Sequence, residues 1–117
     1  MKRNILSQLS EIAVMKEALK KEYTISIPYG YPVYDLIIDR NGELLKIQIK
    51  TFFWDNSKKR WIVNLNKPTT HKGYKKGEID YFACYRENPY LLLVLKVENY
   101  QNRRSLTITE QIKSDNW

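Results

Sequence analysis

The sequence predicts an α+β fold in which one N-terminal helix packs on a mixed, mostly antiparallel sheet. Three observations carry this prediction. An amphipathic stretch opens the chain, strand-like runs follow it in succession, and Gly, Pro and Asn-Gly turns separate those runs.

The helix is expected from Ile5 to about Glu22. Ile5, Leu9, Ile12 and Leu19 fall on one helical stripe, Leu6, Ala13 and Met15 widen it, and Asn4 is placed as its N-cap. Tyr23–Ile27 reads as a strand closed by Pro28 and the Tyr29-Gly30-Tyr31-Pro32 turn. Val33–Asp39 and Leu44–Lys50 are strand-like and flank Asn41-Gly42, the pair that best tolerates the positive φ angles of a two-residue hairpin. Strands are expected at Phe52–Trp54 and Trp61–Leu65 around an Asp55–Arg60 loop. Residues 66–80 read as irregular. Tyr81–Tyr85 and Tyr90–Val97 then form strands, and Thr109–Lys113 is a candidate short helix.

The 117 residues match one domain, 1–117, and leave little room for another. Hydrophobic residues at 43% and charged residues at 28% describe a globular chain rather than a disordered one. The longest strongly apolar run, Leu91–Leu95, is too short to cross a bilayer, so no membrane partner is expected. Ser7, Gln8, Ser10 and Glu11 interrupt any signal-peptide core. Cys84 has no second cysteine to pair with, so a cytoplasmic, intracellular setting is expected. His71 is the only other soft ligand, which excludes a Cys/His zinc site.

The net charge of +7 is uneven. Residues 51–86 carry 8 basic and 3 acidic side chains, whereas residues 87–117 carry 4 of each. A concentrated positive field favours a polyanion, most often nucleic acid.

The Asn41-Gly42 hairpin sets Arg40 opposite Glu43 and Asp35 opposite Gln48. Opposed residues share a face, as do residues two apart on one strand, so Asp35, Gln48 and Lys50 converge. Ile47, Ile49, Leu36 and Ile38 point the other way. Glu11 lies about 100° from Ile12 on the helical wheel, at the margin of the stripe, from which it can reach the sheet edge. Glu11 and Asp35 are hard oxygen ligands of the kind Mg²⁺ prefers, and Gln48 and the Ile49 backbone carbonyl can add neutral oxygens. Lys50 can orient a water or neutralise charge on phosphorus. The same residues also describe an ordinary amphipathic hairpin, with Asp35 and Lys50 as a surface ion pair worth under about 1 kcal/mol.

At these residues the chain resembles the PD-(D/E)xK nucleases. Glu11, the YDLIID string at 34–39, the IQIKT string at 47–51 and the GEIDYFA string at 77–83 are most similar to the small branch of homing endonucleases encoded in group I introns. That branch also uses Gln-x-Lys. Tyr34 stands where the motif has proline, and Gln48 where it has an acid. The resemblance implies a restriction-endonuclease-like core and Mg²⁺-dependent hydrolysis of DNA phosphodiesters, with Mn²⁺ able to substitute. It implies Glu11, Asp35, Gln48 and Lys50 as catalytic, with Glu11, Asp35, Gln48 and Ile49 at the metal, and a homodimer or homotetramer. The rival expectations are a Holliday-junction resolvase on the same core and a non-catalytic DNA-binding module.

Lys58, Lys59 and Arg60 in the hairpin loop, with Lys67, Lys72, Lys75 and Lys76 beyond it, are the candidate phosphate contacts. Trp54, Trp61 and Tyr74 interleave with them. His71 reads as an exposed loop residue, Cys84 as a buried small hydrophobe, Asp39 as an exposed turn residue, and Asp80 as a capping or ion-pairing group.

Overall fold

The structure, a computed structural model, describes every residue except Tyr31, Glu110, Gln111 and Asn116. Helix α1 spans Arg3–Lys20 and so begins earlier than expected. Asn4 is inside its first turn and is not the cap. Lys2 holds that position and offers no capping side chain. The helix ends in a Schellman closure: Glu22 turns left-handed with φ 63°, its amide donates to the Leu19 carbonyl at 2.9 Å, and Tyr23 N–H donates to Ala18 at 3.0 Å.

The buried face of α1 also differs from the expected one. Ser10, Ala13, Val14 and Ala18 are buried, while Ile5, Ile12 and Leu19 are 41%, 58% and 62% exposed. The face that packs is the one with small side chains, which lets the helix lie close on the sheet. The larger aliphatic stripe runs along the opposite pole.

Five strands make the main sheet: β1 (Thr24–Ser26), β2 (Leu36–Arg40), β3 (Glu43–Thr51), β6 (Tyr81–Arg86) and β7 (Leu91–Lys96). Their order is β1-β2-β3-β6-β7, antiparallel throughout except for the parallel pair β3 and β6. The hairpin register is the one the Asn41-Gly42 turn predicts, with Arg40 opposite Glu43 and Leu36 opposite Ile47. Both turn residues take positive φ, 53° and 94°, and the Asp39 carboxylate accepts from Gly42 N–H at 2.7 Å.

Residues expected to extend this sheet instead build a second one. Strands β4 (Phe53–Asp55) and β5 (Arg60–Asn64) pair as a hairpin, and β8 (Ser105–Thr107), which the sequence reading did not include, joins β5. The candidate helix at Thr109–Lys113 falls partly on Glu110 and Gln111, outside the described residues.

The main sheet separates two apolar layers. Leu36, Ile38, Ile47, Ile49, Ala83 and Val94 face α1 and pack with Val14, Ala18 and Trp117. Phe82, Cys84, Leu93 and Leu95 face the second sheet and pack with Phe52, Val63, Leu65 and Leu106. Helix, mixed sheet and small sheet are stacked in that order, in keeping with the restriction-endonuclease-like core that the resemblance implies.

Candidate active site

Strand β3 outruns β2. Their pairing stops at Leu36 opposite Ile47, yet β3 continues to Thr51. Asp35 occupies the notch beyond the end of β2. Its amide donates to the Ile47 carbonyl at 2.8 Å, and its Oδ2 accepts from Ile49 N–H at 2.8 Å. The N–H and C=O of one strand residue leave by the same edge, so the Ile49 carbonyl also faces this notch.

Gln48 and Lys50 lie on the face opposite to Ile47 and Ile49. The parallel register sets Gln48 beside Phe82 and Lys50 beside Cys84, so both polar side chains enter the layer between the sheets. They are 8% and 9% exposed. Lys50 Nζ donates to the Asn66 carbonyl at 2.7 Å and lies 5.2 Å from the Tyr74 ring centroid. Tyr74 is thus a buried platform beneath the lysine rather than an aromatic among exposed cations.

The electrostatics follow from this burial. Desolvation lowers the Lys50 pKa below its ordinary 10.5, against the opposing pull of neighbouring Cys84 and the Asp35 carboxylate. Desolvation also raises the Asp35 pKa above 3.8, against the Ile49 hydrogen bond and the Lys50 charge. Burial pushes the Cys84 thiol up to about 12, which leaves it an inert packing group at neutral pH.

Helix α1 completes the site. Ser10 is fully buried, and its hydroxyl shares a 2.8 Å hydrogen bond with Thr51, the residue after Lys50. Glu11, the residue after Ser10, lines one cleft of about 430 Å³ together with Asp35, Gln48, Ile49 and Lys50. All the predicted central residues therefore meet. Ser10→Ala removes the bond that docks this helix turn on β3. It is expected to cost about 1 kcal/mol in urea unfolding, with unchanged m-value.

The cleft fits a hard divalent cation. Glu11, Asp35, Gln48 and Ile49 all line it, and each can offer an oxygen donor. Among the described residues no group of three or more His, Cys, Asp and Glu could hold a metal ion. A metal in the cleft would therefore rest on Glu11, Asp35, Gln48 and the Ile49 carbonyl, with Gln48 contributing no charge.

Several cleft residues were absent from the sequence reading. Arg3 and Ser7 line the cleft with Glu11, and their i, i+4, i+8 spacing is the signal that could have found them. Arg3 is held over the Phe53 ring at 4.2 Å. Asn66, which orients Lys50 through its backbone, carried no sequence signal.

The predicted phosphate contacts divide into groups. Lys58 and Lys59 are exposed at the β4–β5 tip, where Asp55 organises the turn by accepting from Ser57 and Lys58 amides at 3.1 and 3.3 Å. Arg60 is half-buried and lies 3.9 Å from Asp55. Lys72, Lys75 and Lys76 are exposed. Lys67 is already countered by Glu78 at 2.8 Å. Trp54 and Trp61 pack edge to face across the hairpin at 5.5 Å. His71 is an exposed loop residue with φ 57°. Asp80 accepts from Lys46 N–H at 2.8 Å and so pins the start of β6 to β3.

Comparison with known proteins agrees with this geometry. A family model described as PD-(D/E)XK endonuclease matches residues 1–116. The solved structure of a bacterial homing endonuclease, I-Ssp6803I, superposes with a TM-score of 0.83 at 22% identity, covering 100% of this chain and 84% of that one. No curated protein matches. The strand-end aspartate, the Gln-x-Lys strand and the matched family model lead to one conclusion: the chain belongs to the PD-(D/E)XK endonuclease family, nucleases that act on DNA.

Proposed function

We propose that the chain is a metal-dependent endodeoxyribonuclease that hydrolyses phosphodiester bonds in the Asp35–Lys50 cleft. One observation carries this reading. Asp35, Gln48 and Lys50 are brought together at an open strand end, two of them under a tenth exposed, with Glu11 on the same cleft wall. Burial raises the Asp35 pKa and lowers the Lys50 pKa within one cleft, the kind of perturbed acid–base pair that marks functional sites.

When bound, a divalent ion supplies Lewis acidity toward the scissile phosphate. The residues of the chain do the rest. Asp35 and Glu11 hold negative charge at the notch, and the Ile49 N–H fixes the Asp35 carboxylate so that its second oxygen is free to ligate. Lys50 keeps one N–H on Asn66 and has two left to aim at the phosphate or the attacking water. Its lowered pKa raises the share of neutral amine, the one form of Lys50 able to take a proton from that water.

The test is incubation of a supercoiled plasmid and a four-way junction with Mg²⁺, Mn²⁺ or EDTA. Cleavage is expected with either metal and not with EDTA. Preference for the plasmid would match a homing endonuclease like the structural neighbour, and preference for the junction would make the chain a resolvase. Binding without cleavage, over a library of duplexes, would sink the nuclease reading in favour of a binding module.

We also propose that the chain acts as a homodimer or homotetramer, because one cleft per chain cannot address both strands of a duplex at once. The outer pole of α1 supports this. Ile5, Ile12 and Leu19 recur every seventh residue there and stay exposed. Ile12→Lys is expected to shift the protein toward monomer in sedimentation velocity. An unchanged sedimentation coefficient would remove α1 as the contact.

A further inference from the structure

Asn64, Asn66 and Pro68 also line the active-site cleft. Asn66 also lines a neighbouring cleft, whose other walls include Lys72, Arg103 and Arg104. Those two arginines form a ridge, since they line a third cleft on their far side with Tyr100 and Thr107. No Asp or Glu lines either of these two clefts among the described residues. Lys72, Arg103 and Arg104 are exposed, and none forms a salt bridge among the described residues.

The ridge is tied rigidly to the active site. The Arg104 carbonyl accepts from Leu65 N–H at 2.9 Å, and the residue after Arg104, Ser105, opens β8 opposite Asn64 of β5. Leu65 precedes Asn66, whose carbonyl holds Lys50. On the other flank, Arg103 N–H donates to Tyr100 at 3.1 Å, and Lys72 O accepts from Lys67 N–H at 2.7 Å. Backbone hydrogen bonds therefore set the positions of the three cations relative to Lys50. Their side chains, by contrast, have no acidic partner.

We infer that Arg103, Arg104 and Lys72 form a second phosphate-binding ridge that carries the DNA backbone away from the Asp35–Lys50 cleft. This rests on the nuclease reading only for its direction. The chemistry it needs is a run of phosphates, each matched by a cation in a groove free of acids. The ridge lies partly in a segment whose net charge is zero along the sequence, so it exists only in the fold.

The test is duplex binding by Arg103→Ala/Arg104→Ala in EDTA across a salt series. Affinity is expected to fall at least about tenfold at low salt. The slope of log K against log[salt] should become shallower by about 2, near the value for two lost phosphate contacts. Arg103→Lys/Arg104→Lys should restore most of the slope, because a phosphate contact needs the charge more than the fork. An unchanged slope in the alanine variant overturns the ridge, even if affinity falls, and so does a lysine variant as shallow as the alanine one. Wild-type cleavage in Mg²⁺ reports separately on the nuclease: a wild type that never cuts, beside an alanine variant that loses slope, removes the nuclease and keeps the ridge.

Discussion

Lys50→Met is expected to lower the single-turnover cleavage rate by about 10²–10³-fold, the usual effect of deleting one preorganised charge at a developing anion. Methionine matches the four-atom apolar stem of lysine, so it fills the space over Tyr74 and beside Cys84 that the stem now occupies. Nothing in the apolar layer should collapse, and far-UV circular dichroism should be unchanged. What is lost is the ammonium that Asn66 aims into the cleft. Rates within threefold of wild type, measured with protein in excess over plasmid, would show that the cut is made without Lys50.

Asp35→Asn is expected to have the larger effect on activity and the opposite sign on stability. Loss of the one carboxylate anchored at the notch weakens metal binding and the charge stabilisation that depends on it. Several kcal/mol of that kind correspond to on the order of 10³-fold in rate. Asparagine still offers an oxygen to Ile49 N–H. Burial raises the folded pKa of Asp35 above 3.8, so folding favours its protonated form. Its stabilising contribution is complete below the unfolded pKa and is lost as pH rises through the folded one. At neutral pH the carboxylate is carried at a cost that asparagine avoids, and the variant should melt above wild type. The same shift predicts that wild-type cleavage falls with acid at a midpoint above 3.8, because protons compete at Asp35. A variant that melts lower than wild type would contradict this account.

Much of the site was legible before the structure. Asn41-Gly42 determines a register, the register determines which residues face each other, and Asp35 beside Gln48 follows from a period of two. The helix was legible as a helix but not in its orientation. Two stripes run along it, and periodicity ranks Ile5, Ile12 and Leu19 above Ser10, Ala13, Val14 and Ala18. The sheet selects the small stripe because close approach matters more than side-chain size there. The second sheet was not legible because β8 is three residues long and its partner lies some forty residues earlier, with no local pattern to join them. Arg3 and Asn66 were missed for a related reason: one acts from a helix face that meets the sheet only at its edge, and the other acts through its backbone.

Strand β6 is buried from Tyr81 to Tyr85. Tyr81 and Ala83 belong to the layer under α1, and Phe82 and Cys84 to the layer over the second sheet. A strand that lines both layers cannot leave one without opening the other. The two halves of the molecule are therefore expected to melt together, and the amides of Phe82, Ala83 and Cys84 to exchange with solvent only through global unfolding. The β4–β5 tip, exposed and held by a single aspartate, can exchange by local opening in the same molecule. The fold thus joins a slow-exchanging floor beneath Lys50 to a fast-exchanging hairpin tip, so the tip can move without disturbing the cleft.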